Sequence, residues 1–466
     1  MQKVFLSTVC LTALPVFLNA GTKAKPLNVI YILADDLGYG DLGCYGQKII
    51  KTPNIDRLAA NGMLFTQHYA GCTVSAPSRC SLMTGLHTGH AQIRGNKQTK
   101  PDGQEPMDAA TYTIASLFKD AGYVSGLFGK WGLGFPGSES TPNKMGFDEF
   151  YGYNCQLQAH SFYPEYLWHN DSKVCFPGNV NLGRKIYSAD SIHSYALKFI
   201  RSNKDKPFFA MLTYTLPHAE LNLPHDSVYN RLSGLFSETP FIQGKSTYFT
   251  SDKPKASFAA MVQRLDLYVG QVLNEIKKLG IEDNTIVFFS SDNGPHMEGG
   301  ADPDFFNSSG PLRGTKRDMY EGGIRVPMIA HCPSLIKAGS SSDHISTFWD
   351  VMPTFAEITR VKLKEKTDGI SFLPVLKGSK KQKQHKALYW EFHEQGGKVA
   401  VRMGKWKGIK LNYGKSPEAP MLLFDLSNDI HEDNNVATQN PEVVAQIEAI
   451  ISKEHTHSDV FNFGRK

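Results

Sequence analysis

The stretch GCTVSAPSRCSLMTGLHTG, residues 71–89, predicts a junction between a strand and a helix. Ser75 and the residue after it can cap a helix. Pro77 suits the first turn, where the missing N–H of proline breaks no intrahelical hydrogen bond. Residues 78–84 then continue the helix, with Arg79 directed back toward Ser75. A side chain at position 75 would therefore lie at the positive end of a helix beside a guanidinium, where an anion can be bound and attacked.

Polar and charged side chains follow four apolar stretches that we interpret as buried strands. These are 28–33 before Asp35 and Asp36, 123–128 before Lys130, 208–214 before His218, and 285–290 before Asp292 and Asn293. Ligands of open α/β sheets bind at the carboxyl ends of the strands. The sequence therefore predicts that these acids, amide, cation and imidazole converge on one site.

The alternation of apolar stretches with helical patterns predicts an α/β sheet covered by helices on both faces. The further predicted elements are helices over 54–61, 109–121, 191–202 and 257–279 and a strand over 326–331. We expect this large domain to extend over residues 21–376.

The basic, turn-rich segment 377–386 is predicted to be a linker to a smaller subdomain over residues 387–466. The predicted elements of that subdomain are short strands over 387–392, 398–403, 406–410 and 421–425 and a helix over 441–453. This pattern is typical of a small antiparallel sheet with one helix.

Composition and the N-terminus exclude some classes of function. A net charge of +5 over 466 residues is too small to indicate nucleic-acid binding. Lys3, the apolar run 4–18 and a small-residue site ending at Ala20 predict a signal peptide over 1–20, and therefore an exported protein. The alternative is a membrane anchor, but the run is short and contains Pro15, so we expect no stable membrane insertion.

Four of the predicted site residues are hard oxygen donors, namely Asp35, Asp36, Asp292 and Asn293. Such donors suit Ca²⁺ and, less well, Mg²⁺. An acid at the end of a single strand is more often a turn or cap residue, but four oxygen donors after two buried strands indicate a metal site. No C-x-x-C pair occurs, which disfavours a thiolate zinc site.

The motif S-A-P-S-R at 75–79, followed by L-M-T-G at 82–85, resembles the signature of the type I sulfatases in its serine-type version. Cys72 and Cys80 lack the proline and arginine of that motif. Similar segments extend from Asp35 to about Asn435, most of the chain. The resemblance implies the alkaline-phosphatase-like fold, a large mixed sheet sandwiched by helices with a smaller C-terminal antiparallel sheet plus helix.

The resemblance also implies the chemistry of the site. In this family the residue at position 75 is oxidised to formylglycine by a formylglycine-generating maturase. One Ca²⁺ would be held by the formylglycine oxygen and by Asp35, Asp36, Asp292 and Asn293. Arg79 would assist the modified residue, Lys130 and Lys316 would bind sulfate, and His218 would protonate the leaving alcohol.

The chain departs from the family at Gly132, in Lys-Trp-Gly-Leu-Gly, where the family commonly has a histidine that helps regenerate the aldehyde. His160 is our candidate substitute. The alternative, that His160 only packs or binds substrate, stays open.

We therefore expect an exported sulfatase, in a bacterial periplasm or on a cell surface, that acts on a sulfated sugar. His160, Glu220 and His393 are candidate sugar contacts. Two alternatives remain. One is a phosphomonoesterase or phosphonate hydrolase of the same superfamily. The other is an inactive, Ca²⁺-dependent protein that binds sulfated glycans, if Ser75 stays unmodified.

Overall fold

The computed structural model describes residues 25–100, 103–244, 246 and 248–463. The predicted signal peptide, residues 1–20, lies outside the described residues. In the described part of the chain, no helix combines the length and the apolar character that crossing a membrane requires.

The regular elements are numbered in chain order. The strands are β1 Asn28–Ala34, β2 Met63–Tyr69, β3 Gln98–Thr99, β4 Gly103–Gln104, β5 Val124–Lys130, β6 Glu149–Tyr153, β7 Tyr166–His169, β8 Ser172–Cys175, β9 Phe208–Thr213, β10 Thr285–Ser291, β11 Arg325–His331, β12 Ser340–Ser342, β13 Ser346–Thr347, β14 Leu388–Phe392, β15 Lys398–Met403, β16 Trp406–Leu411 and β17 Leu422–Asp425. The α-helices are α1 Pro53–Ala60, α2 Ser75–Thr84, α3 Ile114–Asp120, α4 Ser188–Ser202, α5 Ser227–Leu232, α6 Pro254–Lys278, α7 Pro303–Phe306, α8 Glu321–Ile324, α9 Val351–Thr359, α10 Leu373–Leu376 and α11 Pro441–Glu454.

A large mixed sheet forms the centre of the molecule. Its strand order is β12-β2-β11-β10-β1-β9-β5-β6-β7-β8, with β13 also paired to β2. The strands β10, β1, β9, β5 and β6 run parallel, whereas β11 is antiparallel to β10 and β7 is antiparallel to β6. The parallel strands therefore all end at the same edge of the sheet.

Helices cover both faces of this sheet, as the sequence predicts. Successive residues of β1 alternate between two cores, because neighbouring side chains of a strand point to opposite faces. Ile30 and Ile32 pack in the core that contains α1, α4 and α6, and Tyr31 and Leu33 pack in the core that contains α2, α3, α9 and α10. All seven residues of β1 are buried, which explains its continuous apolar sequence.

The second sheet is the predicted antiparallel one, with order β14-β15-β16-β17. Val399 and Val401 of β15 pack with Ile447 of α11 in one apolar cluster. Ala400, between them, belongs to a different cluster, which includes Trp349 of the larger domain. The small sheet is therefore held between its own helix and the larger domain, and the predicted fold class is confirmed.

Two local predictions were wrong. The helix predicted from residue 109 begins at Ile114, because Thr113 caps it by accepting a hydrogen bond from the N–H of Ser116. Helix α2 begins at Ser75 itself, and Val74 is the N-cap residue, with no side-chain cap. Ser75 is therefore a first-turn residue and not a cap, which leaves its hydroxyl available for other contacts.

Candidate active site

The carboxyl edge of the parallel strands and the first turn of α2 meet at one buried site. Asp35 and Asp36 directly follow β1, and Asp292 and Asn293 directly follow β10. Because β1 and β10 pair in parallel register, their ends lie side by side. The sequence prediction that these four residues converge agrees with this geometry.

Ser75 lies at the centre of the site. Its Oγ donates to Asp292 Oδ2 at 2.7 Å and also lies 3.0 Å from Asp35 Oδ1. The ammonium of Lys130, the last residue of β5, lies 3.2 Å from the same oxygen and 2.7 Å from Asp35 Oδ2. The Ser75 side chain is 2% exposed, so these groups surround it in place of water.

Arg79 lies one helical turn after Ser75 and holds Asp292. Its Nε and Nη2 donate to Asp292 Oδ2 at 3.0 and 2.8 Å, and its Nη1 donates to the carbonyl of Lys130 at 3.0 Å. Ser78 Oγ donates to the backbone carbonyl of Asp292 at 2.6 Å. The first turn of α2 is therefore fixed to the ends of β5 and β10.

Asp36 organises the other half of the site. It accepts hydrogen bonds from Lys316 Nζ at 2.7 Å and from Asn293 Nδ2 at 2.6 Å. Lys316 Nζ also donates to His218 Nε2 at 3.1 Å, while His218 Nδ1 contacts the carbonyl of Ala219. Since a carbonyl only accepts, the hydrogen of His218 lies on Nδ1, and Nε2 is the acceptor for Lys316.

Burial and neighbouring charge oppose each other at the two acids after β1. Burial alone would raise the pKa of Asp35, but Lys130 and Arg79 outweigh it and hold that pKa below its ordinary value. Burial also raises the pKa of Asp36, but Lys316 and His218 outweigh it, so that this pKa too lies below its ordinary value. Both acids are therefore carboxylates, as metal binding requires.

His218 and His160 are neutral in this arrangement. Burial and the neighbouring Lys316 lower the pKa of His218 to about 3. Burial, followed by His218 and Lys130, lowers the pKa of His160 to about 2. The two rings stack, with centroids 4.9 Å apart and planes at 16°.

The donor set fits a hard cation. Asp35, Asp36 and Asp292 contribute carboxylate oxygens within one cluster, and Asn293 Oδ1 is buried without a hydrogen-bond partner in the described structure. A buried amide oxygen without a partner is a typical ligand for Ca²⁺. Each of the three carboxylates is paired with a cation, Asp292 with Arg79, Asp35 with Lys130 and Asp36 with Lys316.

A cavity of about 160 Å³ opens onto Ser75, with His160, His218 and Lys316 in its walls. The sequence did not predict its amide side chains, which are Asn96, Gln98, Gln104 and Gln156. Gln156 is 8% exposed, and its Nε2 has no hydrogen-bond partner in the described structure. That Nε2 lies 2.2 Å from where a Cβ at Gly132 would be, so Gln156 fills the space beside the glycine that departs from the family motif.

The structure distributes the three candidate sugar contacts over different places. His160 lines the catalytic cavity, whereas Glu220 lines a neighbouring cavity and His393 lines a third one. Both ring nitrogens of His393 are engaged, with Glu391 at 2.7 Å and the N–H of Phe463 at 3.2 Å.

The chain is similar to known proteins over most of its length. The family model described as Sulfatase matches residues 27–361, and the model described as N-sulphoglucosamine sulphohydrolase, C-terminal, matches residues 314–457. The chain is 30% identical to the N-acetylgalactosamine-6-O-sulfatase of Bacteroides thetaiotaomicron, over 94% of each protein. It is 29% identical to human arylsulfatase A, over 92% of this chain and 87% of that protein.

Among solved structures, the fold is similar to that of Ps i-CgsB in complex with k-i-k-neocarrahexaose. The TM-score is 0.78 and the sequence identity 30%, with 94% of this chain and 95% of that chain covered.

Proposed function

Because the chain belongs to the sulfatase family and is a sulfuric ester hydrolase, we propose that it removes sulfate from a sugar of a sulfated glycan. Two findings support this substrate class. One relative is named for N-acetylgalactosamine 6-sulfate, and the similar Ps i-CgsB structure contains k-i-k-neocarrahexaose. The amide-lined cavity above Ser75 supports it further, because amides can donate to and accept from sugar hydroxyls.

The observation that carries the proposal is the position of Ser75, whose hydroxyl lies between two carboxylates and the ammonium of Lys130. We propose that a maturase converts this residue to formylglycine. The hydrated aldehyde supplies one hydroxyl that attacks sulfur and a second that allows sulfate to leave, which an unmodified serine lacks.

We propose that Asp35, Asp36, Asp292 and Asn293 hold one Ca²⁺ together with the oxygen at position 75. The ion supplies positive charge beside the sulfate oxygens. The carboxylate and amide oxygens of this set, among them the buried Asn293 Oδ1, support Ca²⁺ over zinc.

Two cations flank the reacting position. Arg79 is held against Asp292 on one side of position 75, and Lys130 lies on the other. Both are almost fully buried, so water screens their charge little. They therefore favour the ionised hydroxyl at position 75 and the growing negative charge of departing sulfate.

We propose that His218 protonates the leaving alcohol. The lowered pKa of His218 means that its ring carries no spare proton in the free site. Lys316, whose pKa is raised by Asp36 and Glu298 against the effect of burial, donates to His218 Nε2 at 3.1 Å. His218 must therefore take up a proton at Nε2, where Lys316 donates in the free site, before it can protonate the alcohol.

His160 remains our candidate for the group that accepts a proton during sulfate release. Its neutral ring lies in the catalytic cavity, and its Nδ1 has no hydrogen-bond partner in the described structure. The low pKa of His160 makes it a weak base in the free site.

We further propose that residues 1–20 direct export, and that maturation at Ser75 accompanies it. A bacterial periplasm or cell surface would bring the enzyme to glycans outside the cell.

The test is sulfate release from sulfated sugars by protein produced together with a serine-type maturase. We expect release by the wild type and none by Ser75→Ala with an unchanged circular dichroism spectrum. Ser75→Cys should act only in a host that modifies cysteine. Preferential hydrolysis of phosphate esters would favour a phosphatase, and Ca²⁺-dependent glycan binding without turnover would favour an inactive binding protein.

A further inference from the structure

A second cavity, of about 410 Å³, lies beside the catalytic one. Its walls include Tyr163, Tyr166, Arg184, Glu220 and Phe249. It is larger than the catalytic cavity, and the proposed reaction uses none of these residues.

Three chain segments contribute to both cavities. In 156–161, Gln156 and His160 line the catalytic cavity, while Gln158 and Ser161 line the second one. In segment 218–220, His218 lines the catalytic cavity and Glu220 lines the second cavity. In segment 248–249, Tyr248 lines the catalytic cavity and Phe249 lines the second cavity. Leu157 lines both and is 42% exposed, so the two openings meet at this side chain.

The walls combine the groups that bind an anionic sugar. Tyr163 and Tyr166 provide aromatic surface for the C–H face of a ring. Glu220 and Asn222 provide acceptors and donors for hydroxyls. Arg184 is exposed and makes no ion pair within the described residues, and its charge opposes the rise that burial causes in the pKa of Glu220 in the same wall. Its guanidinium lies 6.0 Å from the Tyr163 ring, so the cation is directed to the same side as the aromatic surface.

The loop that carries Arg184 is held in place before any ligand binds. Asn179, which is 2% exposed, donates through Nδ2 to the carbonyls of Pro164 and Ile186 at 2.9 and 2.8 Å. Its Oδ1 accepts from the N–H groups of Lys185 and Ile186. One buried amide thus fixes the residues after Arg184 to the Tyr163–Tyr166 wall, which limits the ordering that binding must impose.

We propose that this cavity is a second sugar subsite that binds a residue carrying a carboxylate, joined to the sulfated sugar in the catalytic cavity. The enzyme then prefers an oligosaccharide to a sulfated monosaccharide. This inference rests on the proposed glycan sulfatase function. It adds a binding site for the neighbouring sugar and the requirement that this sugar carries a negative charge.

Binding to Ser75→Ala protein, measured by calorimetry, tests the subsite without turnover. The two probes are N-acetylgalactosamine 6-sulfate and the chondroitin 6-sulfate trisaccharide that begins with it and continues with glucuronate. We expect the trisaccharide to bind at least tenfold tighter. The ratio of the trisaccharide affinity to the monosaccharide affinity should fall severalfold, toward one, in Arg184→Gln. It should persist in Lys185→Gln, which changes the next exposed cation and does not line the cavity.

Equal affinities for the two probes, or an unchanged ratio in Arg184→Gln, would overturn the subsite while leaving the sulfatase proposal intact. A trisaccharide that does not bind at all would also overturn it. Failure of the proposed function is separate, because it would appear as no sulfate release by the matured wild type.

Discussion

Substituting Lys407 tests the contact between the small sheet and the larger domain. Lys407 of β16 is fully buried, and its Nζ donates to Glu321 Oε1 at 2.9 Å. Lys407→Ala would leave the fully buried Glu321 with Tyr69 Oη at 2.6 Å, Arg325 at 3.3 Å and Arg402 at 3.8 Å, and would also remove the cation that lies 3.7 Å from the buried Glu432. Removing one partner of a buried ion pair costs about 3–5 kcal/mol, because the other charge stays desolvated.

Lys405, two residues earlier, is the matched control. Its Nζ lies 2.7 Å from Asp425 Oδ2, a shorter distance than in the buried pair, but its side chain is 49% exposed. An exposed pair contributes at most about 1 kcal/mol, so Lys405→Ala should lower the free energy of unfolding by no more than that. Both variants remove a lysine side chain at or next to β16, and the two side chains differ in burial.

Urea denaturation followed by tryptophan fluorescence measures both variants. Trp349 and Trp390 pack in the cluster between the two sheets, so their emission reports on this contact. We expect Lys407→Ala to lose several times more free energy than Lys405→Ala. Similar losses below about 1 kcal/mol in both variants would refute the reasoning that burial makes the Lys407–Glu321 pair structurally essential.

Three further outcomes are expected. Asp292→Asn should lose bound Ca²⁺ by elemental analysis together with at least a hundredfold in kcat/KM, whereas retained stoichiometric calcium would contradict the ligand assignment. His160→Ala should show a burst of alcohol release followed by slow turnover in stopped-flow assays with an aryl sulfate, and a linear time course with unchanged kcat would remove His160 from this role. Burial raises the pKa of Glu391, but hydrogen bonds from His393 and His455 outweigh it and lower that pKa from 4.5 to about 2. Glu391 therefore contributes stability above about pH 4.5 that is lost as the pH falls toward 2, and Glu391→Gln should show a flatter acid denaturation profile than the wild type.

The central sheet and the cluster of acids at its carboxyl edge could be predicted because their signals are local. Buried parallel strands such as β1 and β10 have continuous apolar sequences, and parallel pairing brings their ends together. An acid placed directly after each strand is therefore positioned by the strand itself, as Asp35 and Asp292 are.

The amide wall of the cavity could not be predicted, because its members come from segments without a local pattern. Gln104 lies in the two-residue strand β4, and Gln156 lies in the loop after β6. Their approach depends on long-range contacts, such as the N–H of Gln156 donating to Gln104 Oε1 at 3.3 Å. Gly132 was the available signal, since a missing side chain in a buried loop implies that another residue fills the space.

The first residues of two helices were also predicted wrongly from the sequence. Apolar periodicity continues through residues 109–113, but the hydroxyl of Thr113 satisfies the N–H of Ser116 and so begins the helix later. The same reasoning misplaced Ser75 as a cap. Its hydroxyl instead contacts Asp35 and Asp292. The sequence pattern of one helix cannot predict these contacts, because both partners come from distant parts of the chain.

Mass spectrometry of the tryptic peptide 58–79, from protein produced with a serine-type maturase, tests the central claim most directly. The account predicts a peptide two hydrogens lighter than the encoded sequence, with the change located at Ser75 and the modified fraction proportional to the sulfate released per mole of protein. An unmodified Ser75 in protein that hydrolyses sulfate esters at full rate would contradict the account.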